Sequence, residues 1–123
     1  MDFQNITKLY KLIFHFILMF KVFTTKEFDE DFNNLDESEK KRVRKIMSQL
    51  KEQGGEVGKP LKVSYFREKR FEGKRLYFLF YKEFAVILGL GIGDKKTQQE
   101  TINQILSDID YYKIIIKEKL ENL

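Results

Sequence analysis

Apolar side chains recur along the chain at helical spacing in some segments and at strand spacing in others. Near the N-terminus, a run rich in Phe, Ile and Val predicts a strand over residues 16–24. Thr25 follows it and is a suitable N-cap for a short helix. Phe28, Phe32 and Leu35 fall on one face of that helix, which we expect to be buried.

The second helix has the clearest pattern in the chain. Asp36 and Glu39 form a capping box at its start, and Gly54 and Gly55 end it. Its apolar face carries Val43, Ile46, Met47 and Leu50. Its other face carries the cations Lys40, Lys41, Arg42, Arg44, Lys45 and Lys51. Such a face is typical of a solvated surface and also of one that contacts phosphates, and both interpretations stay open.

Three strands are predicted next, over residues 63–70, 74–82 and 85–92. Because their connections are short and polar, we expect an antiparallel meander. Alternation along the middle strand separates two sets of side chains. One set is expected to face the core: Leu76, Phe78 and Phe80. The other is expected to point away from it: Arg75, Tyr77, Leu79 and Tyr81.

Glycines alternate with aliphatic residues in the last strand of the meander, at Gly89, Gly91 and Gly93. Glycine inside a strand usually marks the close approach of a ligand or of another backbone. One hypothesis is a shallow groove beside the face that carries Arg75 and Tyr77. The alternative is a helix packed tightly against the glycines.

A long C-terminal helix is predicted after residue 96. Thr97 and Glu100 have the spacing of a second capping box. The apolar stripe of this helix comprises Ile102, Ile105, Leu106, Ile109, Tyr112, Ile116 and Leu120.

Composition narrows the possible chemistry. The length of 123 residues suits one domain, and the net charge of +4 favours polyanionic partners. With no Cys and with His15 as the single histidine, we expect no metal site and no cofactor, and we expect the reducing environment of the cytoplasm. His15 is expected to be at least half-buried. The apolar run over residues 12–20 is too short to span a bilayer, so no membrane partner is expected.

Four short sequence motifs resemble motifs of the RelE/ParE toxin superfamily. They are GKPL at residues 58–61, YFREKR at 65–70, GKRLYF at 73–78 and DKKTQQETI at 94–102. The resemblance extends over residues 19–109 and implies an α+β fold, with a twisted antiparallel sheet, two N-terminal helices and a C-terminal helix. Residues 19–123 would form the toxin domain. Residues 1–18 would be a dispensable N-terminal extension, which could arise if the start codon had been assigned too far upstream.

The resemblance implies a toxin of a toxin-antitoxin system. RelE-like toxins cut mRNA on the ribosome without a metal, so the implied partners are a cognate antitoxin, mRNA and the ribosome. In this chain Arg75 would bind the scissile phosphate, as an exposed strand arginine that contributes little to folding. The other implied catalytic residues are Lys95, Lys96 and Tyr77. The implied RNA-binding residues are Arg67, Lys69, Arg70 and Tyr81.

The chain also departs from the RelE pattern. Phe66 and Glu68 stand where RelE has two lysines, and Thr101 or Ile102 stands where it has a late tyrosine. Two alternatives to an mRNA endoribonuclease therefore stay open. One is a ParE-like toxin that inhibits gyrase, and the other is a non-catalytic family member that binds RNA or its antitoxin.

Overall fold

The computed structural model describes residues 3–123, with the side chains of residues 5–11, 13 and 19–123. Five α-helices occur in this part of the chain: α1 (Phe3–Leu18), α2 (Lys26–Asn33), α3 (Glu37–Gln53), α4 (Gln98–Ser107) and α5 (Ile109–Glu121). The same part contains five strands: β1 (Lys21–Thr24), β2 (Lys59–Leu61), β3 (Val63–Phe71), β4 (Lys74–Tyr81) and β5 (Val86–Asp94). One-turn 3₁₀ helices occupy Gly54–Glu56 and Lys82–Phe84.

The described strands form one sheet in the order β1-β5-β4-β3-β2. β1 is parallel to β5, and the other neighbours are antiparallel. The predicted α+β fold and the meander of β3, β4 and β5 are confirmed. The prediction of a strand over residues 16–24 is wrong at its start, because α1 continues to Leu18 and only Lys21–Thr24 is extended. A short apolar run fits a helix as well as a strand, and its pattern alone does not separate them.

Local signals set the ends of α2 and α3. The Thr25 hydroxyl accepts a hydrogen bond from the backbone N–H of Phe28 at 3.1 Å. Asp36 and Glu39 form both hydrogen bonds of the capping box. Gly54 ends α3 with a φ of +60°, a conformation that favours glycine. These predicted caps are therefore confirmed.

Helices cover both faces of the sheet, and each interface has its own core. α2 and α3 bury Phe28, Val43, Ile46, Leu50, Val57, Phe71, Leu76, Phe78 and Ile87. α4 and α5 bury Phe66, Tyr77, Leu79, Tyr81, Val86, Leu88, Leu90, Ile102, Ile105 and Ile116. Phe78 is in the core as predicted. The expectation that its alternating neighbours point away from the core is wrong, because α4 and α5 cover that face as well.

Two of the three glycines of β5, Gly89 and Gly91, lie against α2. A Cβ on Gly89 would be 3.0 Å from two ring carbons of Phe28, and a Cβ on Gly91 would be 3.2 Å from Oδ2 of Asp31. The same oxygen accepts a hydrogen bond from the backbone N–H of Ile92 at 2.9 Å. The groove hypothesis is therefore wrong for Gly89 and Gly91, and the alternative of a tightly packed helix is confirmed there.

The C-terminal segment differs from the prediction in two respects. The long helix is divided at Asp108 into α4 and α5. The second capping box is absent, because the N–H and the hydroxyl of Thr97 both donate to Oδ1 of Asp94. The predicted apolar stripe does pack on the sheet, with Ile102 and Ile116 among its buried members. Among the described residues, no helix has the length and apolarity needed to cross a membrane.

Candidate functional site

A cluster of polar side chains lies on the α4 side of the sheet, where β3 ends and β4 begins. The strand register pairs Arg70 with Arg75 and Glu68 with Tyr77. Paired residues of antiparallel strands share a face, so these four side chains lie together. Gln98, in the first turn of α4, reaches the same place. We call these five residues the β3–β4 cluster.

Glu68 is the centre of this cluster. Its side chain is 0% exposed. Oε1 accepts a hydrogen bond from Nε of Arg70 at 2.9 Å, and Oε2 accepts one from Nε2 of Gln98 at 2.9 Å. Nζ of Lys59 lies 4.0 Å from Oε1. A buried carboxylate needs such partners, because desolvation without them would cost several kcal/mol.

Arg75 is also buried, with 7% of its surface exposed. Its Nη1 donates to the carbonyl oxygen of Gly73 at 3.1 Å, but its Nε has no hydrogen-bond partner among the described residues. The expectation of an exposed Arg75 is therefore wrong. It failed because the register places Arg75 between Arg70 and Gly93, on the face that α4 covers.

Tyr77 presents a second buried donor. Its hydroxyl has no partner within the described part of the chain. Burial, followed by the charge of Glu68, raises the pKa of Tyr77 to about 12, although Arg75 and Arg70 act in the opposite direction. The hydroxyl is therefore protonated at neutral pH. Two buried donors without acceptors suit the oxygen of an anion or of a water molecule.

The other implied catalytic residues lie at the same end of the sheet. Lys95 and Lys96 are exposed in the turn that follows β5. Asp94, just before them, lies opposite Lys74 in the register of β4 and β5. Hydrogen bonds from Thr97 lower the pKa of Asp94, which is therefore ionised at neutral pH. These lysines make the solvent-facing border of the β3–β4 cluster basic.

Three of the implied RNA-binding residues lie away from the cluster. Arg67 and Lys69 are paired with Phe78 and Leu76, so they lie on the α3 side of the sheet. Arg67 donates to the carbonyl oxygens of Val57 and Gly58 at 3.1 and 2.9 Å. Arg67 therefore fixes the loop that precedes β2.

Tyr81 lies at the opposite end of β4 from Arg75, about 20 Å away along the strand. It is buried beside Tyr65 and Phe84, and burial raises its pKa. Tyr81 and Arg67 line a cleft of about 630 Å³ at this end of the sheet. The structure therefore divides the predicted site residues among three places.

In the sequence, Glu68 stands out only as a departure from the RelE pattern. The alternation of β3 contained the missing signal, because Glu68 is two residues from Arg70 and shares its face. The contact with Gln98 joins residues thirty positions apart. Among the described residues, no group of three or more His, Asp or Glu side chains could hold a metal ion, and the side chain of His15 lies outside them.

Comparison with solved structures defines the class of fold. A chain of the toxin-antitoxin complex RelBE2 from Mycobacterium tuberculosis is 20% identical, with a TM-score of 0.56, and the match covers 63% of this chain and 99% of that one. A free variant of the Escherichia coli toxin RelE is 13% identical, with a TM-score of 0.59 and coverage of 71% and 98%. A chain of the RelB-RelE complex from Methanococcus jannaschii is 12% identical, with a TM-score of 0.52 and coverage of 64% and 96%.

This chain, with its helices and five-stranded sheet, has the RelE-like toxin fold. The match includes nearly the whole of each solved chain and leaves about a third of this chain outside it. No protein-family model matches the sequence, and no curated protein matches it.

Proposed function

We propose that this protein is the toxin of a toxin-antitoxin pair and that it inhibits translation by cutting mRNA on the ribosome. The RelE-like fold supports this proposal. The observation that carries it further is the β3–β4 cluster, in which Arg75 and Tyr77 present buried donors without partners beside the carboxylate of Glu68. Groups of this kind are concentrated at functional sites, because they cost stability where they serve no purpose.

The chemistry of RNA cleavage matches the contents of the cluster. Attack of a ribose 2′-hydroxyl on the adjacent phosphate needs a base, a cation and a donor for the leaving 5′-oxygen. Glu68 is the carboxylate base, and Arg75 binds the phosphate. Tyr77 supplies the O–H donor. No metal ion is required for these steps.

The side chains around the cluster must move before a substrate can reach its buried groups, because Arg75 and Tyr77 are buried and Lys59 also lies 4.0 Å from Oε1 of Glu68. Gln98 and Arg70 occupy the two oxygens of Glu68. The side chain of Arg70 is 56% exposed, so it can turn towards a phosphate and release Oε1. Lys95 and Lys96 then lie at the border, where the RNA backbone would enter. In this proposal the ribosome presents the mRNA at that border, in the cytoplasm.

The antitoxin would cover the same border. Solved RelE structures include complexes with RelB antitoxins. A partner that blocks the basic end of this sheet needs acidic residues that face Lys95, Lys96 and Arg70. We therefore propose an antitoxin with an acidic segment as the cognate partner.

Inducible expression of the variant Arg75→Met tests the proposal. Methionine preserves much of the buried volume but removes the guanidinium group. Wild-type protein should arrest growth and produce mRNA cut at ribosomes, and Arg75→Met should do neither. Lys117→Met, an exposed position on α5, is the matched control and should behave as wild type.

Three outcomes would contradict this function. Full toxicity of Arg75→Met would remove the phosphate role of Arg75. Growth arrest with DNA damage and intact mRNA would favour the gyrase-inhibiting alternative. Loss of cleavage by the wild type with a chelator selective for transition metals, at a Mg²⁺ concentration that keeps the ribosomes intact, would show that a metal takes part.

A further inference from the structure

The outer face of α3 carries a row of exposed polar side chains that the β3–β4 cluster does not use. We call this row the α3 ridge, and its members are Lys41, Arg44, Lys45, Ser48 and Lys51. They lie opposite the buried residues Val43, Ile46 and Leu50. At 1.5 Å per residue, the ridge extends for about 15 Å.

The cations of the ridge are not neutralised by neighbouring acids. In the described part of the chain, none of the four has a carboxylate oxygen within 4.0 Å. Their neighbours on the same helix differ, since Lys40 pairs with Glu37 and Arg42 pairs with Glu72. The ridge is therefore a strip of unpaired positive charge between the paired cations Lys40 and Arg42. Glu37 lies about one helical turn before its first residue and Glu52 just after its last.

Contacts with Phe32 order part of this ridge. The guanidinium carbon of Arg44 lies 5.5 Å from the centroid of the Phe32 ring, and Nζ of Lys40 lies 5.9 Å from it. Cation–π contacts at this distance hold a long side chain near one orientation. A cation ordered in advance loses less entropy when it binds an anion.

We propose that the α3 ridge binds the paired backbone of a double-stranded RNA segment, such as a helix of ribosomal RNA. The choice of RNA rests on the proposed function, whereas the ridge itself lies on the opposite face of the sheet from Arg75. Double-stranded RNA is recognised mostly through phosphates and 2′-hydroxyls, which lysines, arginines and a serine hydroxyl can contact. Ser48 supplies that hydroxyl.

Two other occupants fit the ridge less well. Binding of unpaired RNA uses exposed aromatic rings for stacking, and the ridge has none. A membrane-surface helix exposes large apolar side chains beside its cations. The exposed large hydrophobic residues of the described chain lie on α1 and α5 and at Leu123, and none lies on α3.

The ridge and the β3–β4 cluster are connected at one end of the molecule. Nε of Arg42 lies 3.8 Å from Oε1 of Glu72, a residue in the turn between β3 and β4. Oε2 of Glu39 lies 3.4 Å from Nζ of Lys74, at the start of β4. The first turns of α3 therefore meet the end of the sheet that holds Arg75. A duplex held on the ridge would leave that end free to receive a single strand.

Fluorescence anisotropy with a labelled RNA duplex of about 20 base pairs tests the proposal. The variant Lys41→Glu/Arg44→Glu/Lys45→Glu reverses the centre of the ridge. Lys62→Glu/Lys82→Glu/Lys117→Glu makes the same change in net charge at exposed positions elsewhere and is the matched control. Wild type should bind with an affinity that falls steeply with salt. The ridge variant should bind at least about tenfold more weakly and with a shallower salt slope, and the control should lose much less.

Equal losses in the ridge variant and the control would overturn the proposal, because net charge alone would then explain binding. Unchanged binding by the ridge variant would also overturn it. Tighter wild-type binding to a DNA duplex of the same sequence would reject RNA as the occupant. The assay needs no cleavage, so a wild type that binds the duplex through the ridge but cuts no mRNA would contradict only the proposed function.

Discussion

The two faces of the sheet are built differently. On the α2 and α3 side the core is apolar, and the buried hydroxyl of Thr25, at its border, donates to the carbonyl oxygen of Leu90 at 3.0 Å. On the α4 and α5 side an apolar core adjoins the buried Glu68 and Arg75 and the buried hydroxyl of Tyr77. Buried polar groups without partners reduce stability. The first face therefore buries mainly apolar side chains, whereas the second also holds the polar groups of the proposed functional site.

The largest expected effect is on the α2 and α3 side. Phe78→Ala removes a side chain that is 0% exposed, so it should lower the free energy of unfolding by about 3 to 5 kcal/mol. Denaturant titration measures this change. Ile114→Ala, at a position 54% exposed, should change it by less than about 0.5 kcal/mol. Equal midpoints for the two variants would show that Phe78 does not carry this core.

A smaller effect should appear on the other face at alkaline pH. The folded state keeps the proton of Tyr77 up to about pH 12, whereas the unfolded chain loses it near the ordinary value of 10.0. Unfolding thus releases a proton between these values, so the ionisation of Tyr77 leaves the free energy of unfolding unchanged below about pH 10 and lowers it as the pH rises to about 12. The total fall is about 3 kcal/mol.

Tyr77→Phe should weaken this alkaline loss without reducing stability at neutral pH, because it removes a buried hydroxyl that lacks a partner. Part of the loss should remain, since burial also raises the pKa values of Tyr81 and Tyr112. Tyr111→Phe, at a position 60% exposed, is the control and should change nothing. Destabilisation by Tyr77→Phe at pH 7 would reveal a structural partner for the hydroxyl.

Two glycines of β5 allow the faces to be compared directly. Gly89→Ala places a Cβ 3.0 Å from the ring of Phe28, which α2 holds in place, so it should cost about 1 to 3 kcal/mol. Gly93→Ala places a Cβ 3.3 Å from the hydroxyl oxygen of the exposed Thr97, which can move away at the cost of its hydrogen bond to Asp94, so it should cost less. Thermal unfolding ranks the two variants. A larger cost for Gly93→Ala would show that the ring of Phe28 yields more easily than the side chain of Thr97.

Removal of residues 1–18 should have the smallest effect. No described side chain of α1 belongs to either core. A chain that begins at Met19 keeps Phe20, whose ring packs edge-on against Phe80 at 5.1 Å. Its unfolding midpoint should therefore lie close to that of the full chain. Loss of cooperative unfolding would assign α1 a part in one of the two faces.

Local features of this protein could be read from its sequence. The caps at Thr25 and Asp36, the apolar stripes and the meander each depend on residues a few positions apart. Hydrogen bonds within one helical turn and alternation within one strand are set by near neighbours. The resemblance of four short segments to RelE-like toxins added the class of fold, which the solved structures confirm.

Features that depend on distant segments were decided only by the tertiary structure. The apolar residues 16–18 would fit a helix or a strand, and in the structure they continue α1 rather than joining β1. Arg75 has the sequence pattern of an exposed strand residue and becomes buried because the C-terminal helices cover its face. Glu68 meets Gln98 only after the sheet has formed and α4 has packed on it. Burial is a property of whatever covers a residue, and at this site the covering helix lies some thirty residues further along the chain.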